Sequence, residues 1–387
     1  MSTLQHNLGR LNAKRALALA LALALFAIAI WAGSANATAR SPASALPQLL
    51  LNNLADRYLQ DKCRVGVSLV ARVGSRTFFA NRGWTSRARA TRPTIDSVYE
   101  LASVTKTFVG VMAAMALIDR RMTLDRDFRA YLPNAYPNLQ RAGTPITLRS
   151  LAAHSSGLPR DLPDSGAILA DPDYDTLASQ FAALNKGHTR EKDLAALRLV
   201  QLRDVPGAAF AYSNLDMRVI GYGLETVYDT PFRRLLGTRL LHGLDMGSTD
   251  FVVGAAMRNR LVTPYNRNGR AQPFHDDSAG AAYGLYSTPR DMARYLAWHL
   301  SGSALASRSH ALIRGNAQNG QSLIWNATMR GGETMLWHGG GSFGSTSQMV
   351  LFPSAKMGLV LLANNSCEGS EDALKQMASD LFDATRP

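Results

Sequence analysis

The chain has little of several things, and each scarcity removes a class of function. Only two cysteines occur in 387 residues, Cys63 and Cys367, far from any C-x-x-C spacing. The eight histidines show no paired spacing such as H-E-x-x-H. A dithiol redox centre and a structural or catalytic metal are therefore not expected. There is no Lys/Arg block, no nucleic-acid motif, and no internal repeat or low-complexity segment after residue 37. DNA and RNA binding and repeat architectures drop out. Long apolar runs are also lacking, apart from Ala16–Trp31.

That run belongs to a leader. Arg10, Lys14 and Arg15 precede it and Ala35-Asn-Ala37 follows, the pattern of a secretory signal peptide cleaved after residue 37. An exported, periplasmic protein is expected, with 38–387 as its mature region. Removing 37 residues with three basic and no acidic side chains leaves 350 residues carrying a net charge of +10. The excess is mostly scattered arginine. It suits an anionic envelope polymer or membrane surface, and an arginine-rich proteome explains it equally well. Peripheral membrane or cell-wall association and the oligomeric state stay open.

With 46% hydrophobic residues the chain can bury a large core. Leucines at helical spacing predict a helix over 46–60, and alternation predicts a hairpin of strands 65–73 and 77–84. Residues 160–190, rich in Asp, Pro and Gly, read as a surface excursion, and 255–280 as a long connection. Helical patterns cover 148–153, 193–202, 215–227 and 288–300. Short β-rich runs follow at 323–329, 333–338, 347–352 and 358–363, before a last helix at 371–381. Helices and strands open the chain, helices fill its middle, and antiparallel strands close it. The fold class expected is α+β: an antiparallel sheet flanked by helices, built from about 45–100 and 280–387, with an all-α domain from about 101–279 inserted.

The chemistry centres on Leu101-Ala-Ser-Val-Thr-Lys-Thr-Phe108. It holds the one Ser-x-x-Lys of the sequence, Ser103 and Lys106, followed by an apolar run that predicts a buried helix. Positions i and i+3 share a helix face. The unpaired N–H groups of a first turn and burial in a cleft both oppose protonation of Lys106, and a lysine that sheds its proton can activate a serine. An ordinary N-cap serine explains the same residue, so the motif alone decides nothing.

Two further stretches add to it. Ala211-Tyr-Ser-Asn214 follows Pro206-Gly207, placing Tyr212, a plausible proton carrier, and Asn214 in an exposed turn. By itself it reads as a loop aromatic and a helix N-cap. Trp337-His-Gly-Gly-Gly341 ends a strand; its glycines let a substrate backbone lie close and leave N–H groups for an oxyanion. Gly340-Gly-Ser-Phe-Gly344 also matches the nucleophile elbow G-x-S-x-G, but no histidine follows residue 338 as that fold requires.

Ser-x-x-Lys, then Tyr-x-Asn, then a Lys/His-(Thr/Gly)-Gly strand is the motif order of serine penicillin-recognising enzymes. From about Thr94 to Ala363 the chain resembles their class C branch: class C β-lactamases, D-alanyl-D-alanine carboxypeptidases and related esterases. Asp96–Phe108, Thr147–Pro159, Pro206–Asn214 and Gly284–Ala293 carry the resemblance. It looks most like the penicillin-binding carboxypeptidase/endopeptidases. The resemblance implies Ser103 as acylated nucleophile and Lys106 and Tyr212 as partners in proton transfer. Asn214 would hold the substrate amide and Lys106. The N–H groups of Ser103 and Gly341 would form the oxyanion hole, and His338, Gly339, Gly340 and Gly341 the substrate-binding strand. No cofactor is implied. Peptidoglycan stem peptides or small acyl compounds would be substrates and β-lactams inhibitors. An esterase or β-lactamase on the same scaffold is the alternative; a non-catalytic penicillin-binding sensor has no reason to retain Lys106, Tyr212 and the glycine strand together.

One departure matters. Lactamases of this branch usually carry Lys-Thr-Gly or Lys-Ser-Gly where this chain has His338-Gly339-Gly340. Weak β-lactam turnover is expected, with carboxylate-bearing substrates cleaved better toward pH 6 as His338 gains charge. The resemblance also makes the strands following Cys63 and preceding Cys367 antiparallel neighbours, which predicts a disulfide.

Overall fold

A computed structural model of the chain describes residues 42–274 and 280–385, so the leader expected at 1–37 lies outside the described residues. Eight antiparallel strands form its main sheet: β1 Gly66–Val73, β2 Arg76–Gly83, β3 Arg314–Gly315, β4 Asn319–Gln321, β5 Asn326–Arg330, β6 Glu333–Gly341, β7 Thr346–Phe352 and β8 Met357–Ala363. Their order is β2-β1-β8-β7-β6-β5-β4-β3. The N-terminal hairpin thus meets the last strand, with Val67 opposite Ala363 and Val73 opposite Met357.

Every residue of β7 and β8 is buried, because helices cover both faces of the sheet. Alternation sorts the side chains. Leu359 and Leu361 pack with α1 (Pro42–Tyr58) and the C-terminal helix Ser370–Thr385, where Phe352 stacks on Phe382 at 3.8 Å. Val360 and Leu362 face the other way, into the large core around α2 (Thr105–Ile118). Each fully buried Leu or Val contributes roughly 1.5–3 kcal/mol. α2 is apolar on nearly all sides, from Phe108 to Ala116, and so must be enclosed. It is, by neighbours that include the long helix Asn214–Tyr228 and the helix Ala304–His310.

The sequence expectations hold for the hairpin, α2 and the closing strands, with ends displaced by a few residues. Two differ in substance. Residues 160–190 are not a bare surface excursion: they form α4 (Gly166–Ala170) and α5 (Leu177–Leu184), following α3 (Leu148–Ala152). Strands β3 and β4, short and polar, extend the sheet edge where none was expected. Further on come α6 (Asn214–Tyr228), α7 (Pro289–His299) and α8 (Ser370–Thr385). Cys63 and Cys367 are bonded, with Cα atoms 6.0 Å apart, as the antiparallel pairing of β1 with β8 allows. No helix among the described residues is long and apolar enough to cross a membrane.

Candidate active site

Ser103 does not sit inside α2 but in the 3-10 turn Ala102–Val104 that leads into it. The turn is held in a strained form. Ala102 has φ of 44°, the left-handed region that side chains disfavour. Leu101 fixes it: its N–H donates to Leu285 O at 2.8 Å, and its carbonyl accepts from Ser347 Oγ at 2.7 Å. Gly340 presses against the same turn. A Cβ there would lie 2.6 Å from Leu101 O and 3.0 Å from Ser103 N, so only glycine fits. Ser103 caps no helix, which removes its bland reading.

Two hydrogen bonds converge on Ser103 Oγ. Lys106 Nζ lies 2.9 Å away and Tyr212 OH 2.7 Å away. Lys106 has no exposed surface, and burial lowers its pKa, with Arg160 adding to the effect while Tyr212 and Asp161 oppose it. Its second bond, at 2.6 Å, goes to the Ala282 carbonyl. An amine held this way can donate to Ala282 O and turn its lone pair toward the serine hydroxyl.

Tyr212 arrives from the turn before α6, and the turn is anchored on three sides. Ser213, not Asn214, is the N-cap, accepting from Asp216 N at 3.1 Å and donating to Pro159 O at 2.7 Å. Ala211 N donates to His154 O at 2.7 Å. Below it, His154 Nδ1 lies 3.0 Å from Asp216 Oδ2, and its ring tilts against Tyr212 with centroids 4.6 Å apart. Burial, then Lys106 and Arg160, push His154 down to about 3, and burial pushes Asp216 well up. The pair is a neutral wedge behind the tyrosine.

Asn214 lines the same cleft as Ser103, but its side-chain partner is not the expected one. Its Nδ2 donates to Asp161 Oδ1 at 2.8 Å and its Oδ1 is buried without a partner, so Ala282, not Asn214, holds Lys106. His338 also differs. It is buried, its Nδ1–H donates to Gly339 O at 2.7 Å, and burial followed by Lys106 pushes it down to about 3. An imidazole so placed is neutral at pH 6, which corrects the expectation that acid would charge it and favour carboxylate substrates. Sequence gives no measure of that burial. Beyond Trp337, the last residue of β6 paired with β5, the strand edge through Gly341 carries no partner strand among the described residues.

Ser103, Asp161, Asn214 and Gly341 border a cleft of about 210 Å³, where they meet Leu169 and Leu177. Ser103, Lys106, Tyr212 and the strand His338–Gly341 are thus brought together, while Asp161, Ala282, His154 and Asp216 complete the site unannounced. Among the described residues no cluster of His, Cys, Asp or Glu could hold a metal ion. The arrangement can deprotonate a serine, deliver a proton to a leaving group and bind an extended chain along a free strand edge.

Known proteins resemble the chain over most of its length. The chain is 26% identical over 340 residues to the D-alanyl-D-alanine-carboxypeptidase/endopeptidase AmpH of Escherichia coli (strain K12), covering 82% of this chain and 84% of that protein. It is 28% identical over 245 residues to the esterase EstB of Burkholderia gladioli, 62% and 60% of the two chains. Among solved structures, a class C beta-lactamase superposes with a TM-score of 0.76 at 17% identity, over 90% of this chain and 99% of the other. A beta-lactamase/D-alanine carboxypeptidase from Yersinia pestis gives 0.74 at 23% identity, over 88% and 100%. The family model described as Beta-lactamase matches residues 51–381, and the chain therefore belongs to the beta-lactamase family of serine hydrolases.

Proposed function

We propose that the chain is an exported D-alanyl-D-alanine carboxypeptidase and endopeptidase acting on peptidoglycan stem peptides through an acyl-enzyme at Ser103. The observation that carries this reading is the pair of hydrogen bonds at Ser103 Oγ, 2.9 Å from buried Lys106 and 2.7 Å from Tyr212. Ser103 Oγ attacks the D-alanyl carbonyl and its proton passes to the Lys106–Tyr212 pair. The carbonyl electrons move onto oxygen, where the N–H groups of Ser103 and Gly341 receive them. Collapse breaks the C–N bond, and the pair returns the proton to the departing amine. Water then repeats the sequence on the ester. Asn214 and the strand His338–Gly341 hold the peptide. A β-lactam enters by the same attack, but its leaving group stays tethered, so it is released slowly and acts as an inhibitor.

The similarity to AmpH over most of both chains supports the peptidase reading. The leader at 1–37 and the disulfide support export to an oxidising compartment, where such peptides lie. An esterase is the second reading, favoured by the similarity to EstB and by a strand without a hydroxyl at Gly339. Incubating the mature protein with diacetyl-L-Lys-D-Ala-D-Ala and with p-nitrophenyl acetate separates the two. Release of free D-alanine is expected, alongside ester hydrolysis. Acetate cleavage with no D-alanine released would replace the peptidase reading by the esterase one.

A further inference from the structure

The Glu371 carboxylate lies over the outer face of the glycine strand. Gly339 and Gly341 project no side chains there. A Cβ on Gly341 would overlap Glu371 Oε1, and one on Gly339 would sit 3.7 Å from Glu371 Oε2. Glu371 opens α8, which packs on β6 and β7, and it is exposed. It has no hydrogen-bond or ion partner among the described residues. Lys375, one turn along the same helix, lies farther along the same face of β6, with Nζ 3.9 Å from the centre of the Trp337 ring, and forms no ion pair with Glu371. The residue as a whole is exposed, but its carboxyl is desolvated against the strand, and this, followed by the adjacent Asp372, raises its pKa.

The direction of a bound chain follows from the cleft. Its lining includes Gly341, Ser342 and Phe343 together with Leu169 and Leu177, an apolar chamber on one side of Ser103. An acyl group held there leaves its carbonyl at Ser103 and Gly341. The departing half then runs the other way, along the free edge toward Gly339, under Glu371. Glu371 lies outside the cleft lining, and the charged groups within it are occupied: Glu100 accepts from Ser342 Oγ at 2.6 Å, and Arg160 lies 3.6 Å from Asp161.

Resting on the reading that Ser103 is acylated in this cleft, we propose that Glu371 sets leaving-group specificity, favouring substrates whose leaving group carries an ammonium over those ending in a free carboxylate there, which makes D-alanine a slow leaving group. A threonine at 339 would not by itself reverse this. Its side chain would enter the same face, against Gln348 Oε1 at 2.9 Å and beside the Glu371 carboxylate.

Three esters of N-acetyl-D-alanine, with choline, ethanol and glycolic acid as leaving groups, share one acyl part and differ in leaving-group charge. The readout is kcat/KM at low ionic strength with the mature protein. The native enzyme should rank choline above ethyl above glycolate. Glu371→Gln should lower the choline-to-glycolate ratio about tenfold, the scale of one charge-assisted hydrogen bond, and Glu371→Lys should invert it. Asp372→Asn makes the same charge change one residue away and should move the ratio less than about twofold. A native ratio at or below one would overturn the proposal, as would an Asp372→Asn shift equal to that of Glu371→Gln. Ester turnover surviving in Ser103→Ala would instead overturn the acylation reading beneath it.

Discussion

Replacing Lys106 with Met should lower the rate of serine acylation by about 10²–10⁴-fold, the usual worth of a positioned proton carrier. Methionine matches the length of the side chain but can neither accept nor return a proton. Lys106→Arg should fail as badly, because a guanidinium stays charged at any working pH. The fold should survive in the methionine variant. Two effects oppose each other: the Ala282 carbonyl loses its donor, and a buried amine that burial already disfavours in its charged form is removed. Single-turnover acylation by penicillin, read beside a thermal melt, separates lost chemistry from lost structure. The sign of the pH dependence follows. The active form has a neutral amine, so kcat/KM rises with pH as the Lys106 ammonium gives up its proton. Because its pKa is lowered, that rise comes at lower pH than for a free lysine. His154 and His338, each pushed down to about 3, are neutral above pH 5 and add nothing to the limb. A methionine variant that acylated at more than a tenth of the native rate would remove Lys106 from the mechanism.

The double change Cys63→Ser and Cys367→Ser should cost about 5–6 kcal/mol in the chain-entropy account, since the bond joins residues 304 positions apart. For a chain of this size that is a fall in melting temperature of roughly 10 °C. Part of the loss is local. Cys63 precedes β1 and Cys367 lies between β8 and α8, so the bond pins the start of the helix that carries Glu371. A melting temperature within about 2 °C of the native value would contradict this. So would two free thiols titrated in unfolded, unreduced native protein.

How much of this was legible in the chain depended on whether the signal was local. Ser103 and Lys106 could be paired because three residues of helical winding bring them to one side, and the apolar residues after them announce an enclosed helix. Alternation placed the hairpin and the closing strands. It also misled: Leu323 and Trp325 look like strand residues yet lie in the core before β5 begins at Asn326. Strands β3 and β4 went unseen because Arg314–Gly315 and Asn319–Gln321 have no apolar face to show. Ala282 could not be found at all, since a carbonyl acceptor belongs to every residue. Asp161 was hidden in an Asp-rich stretch, and His154 and Asp216 lie 62 positions apart. For His338 the residue type was plain and its state was not, because ionisation follows burial and burial is a property of the assembled fold.

The central claim is that Ser103 is the nucleophile, and intact-mass spectrometry with benzylpenicillin tests it most directly. The native mature protein should gain one penicilloyl group, mapped by peptide digestion to the fragment holding Ser103, and Ser103→Ala should gain none. An adduct of the same mass on Ser103→Ala, or a native adduct mapped to any other residue, would contradict the account.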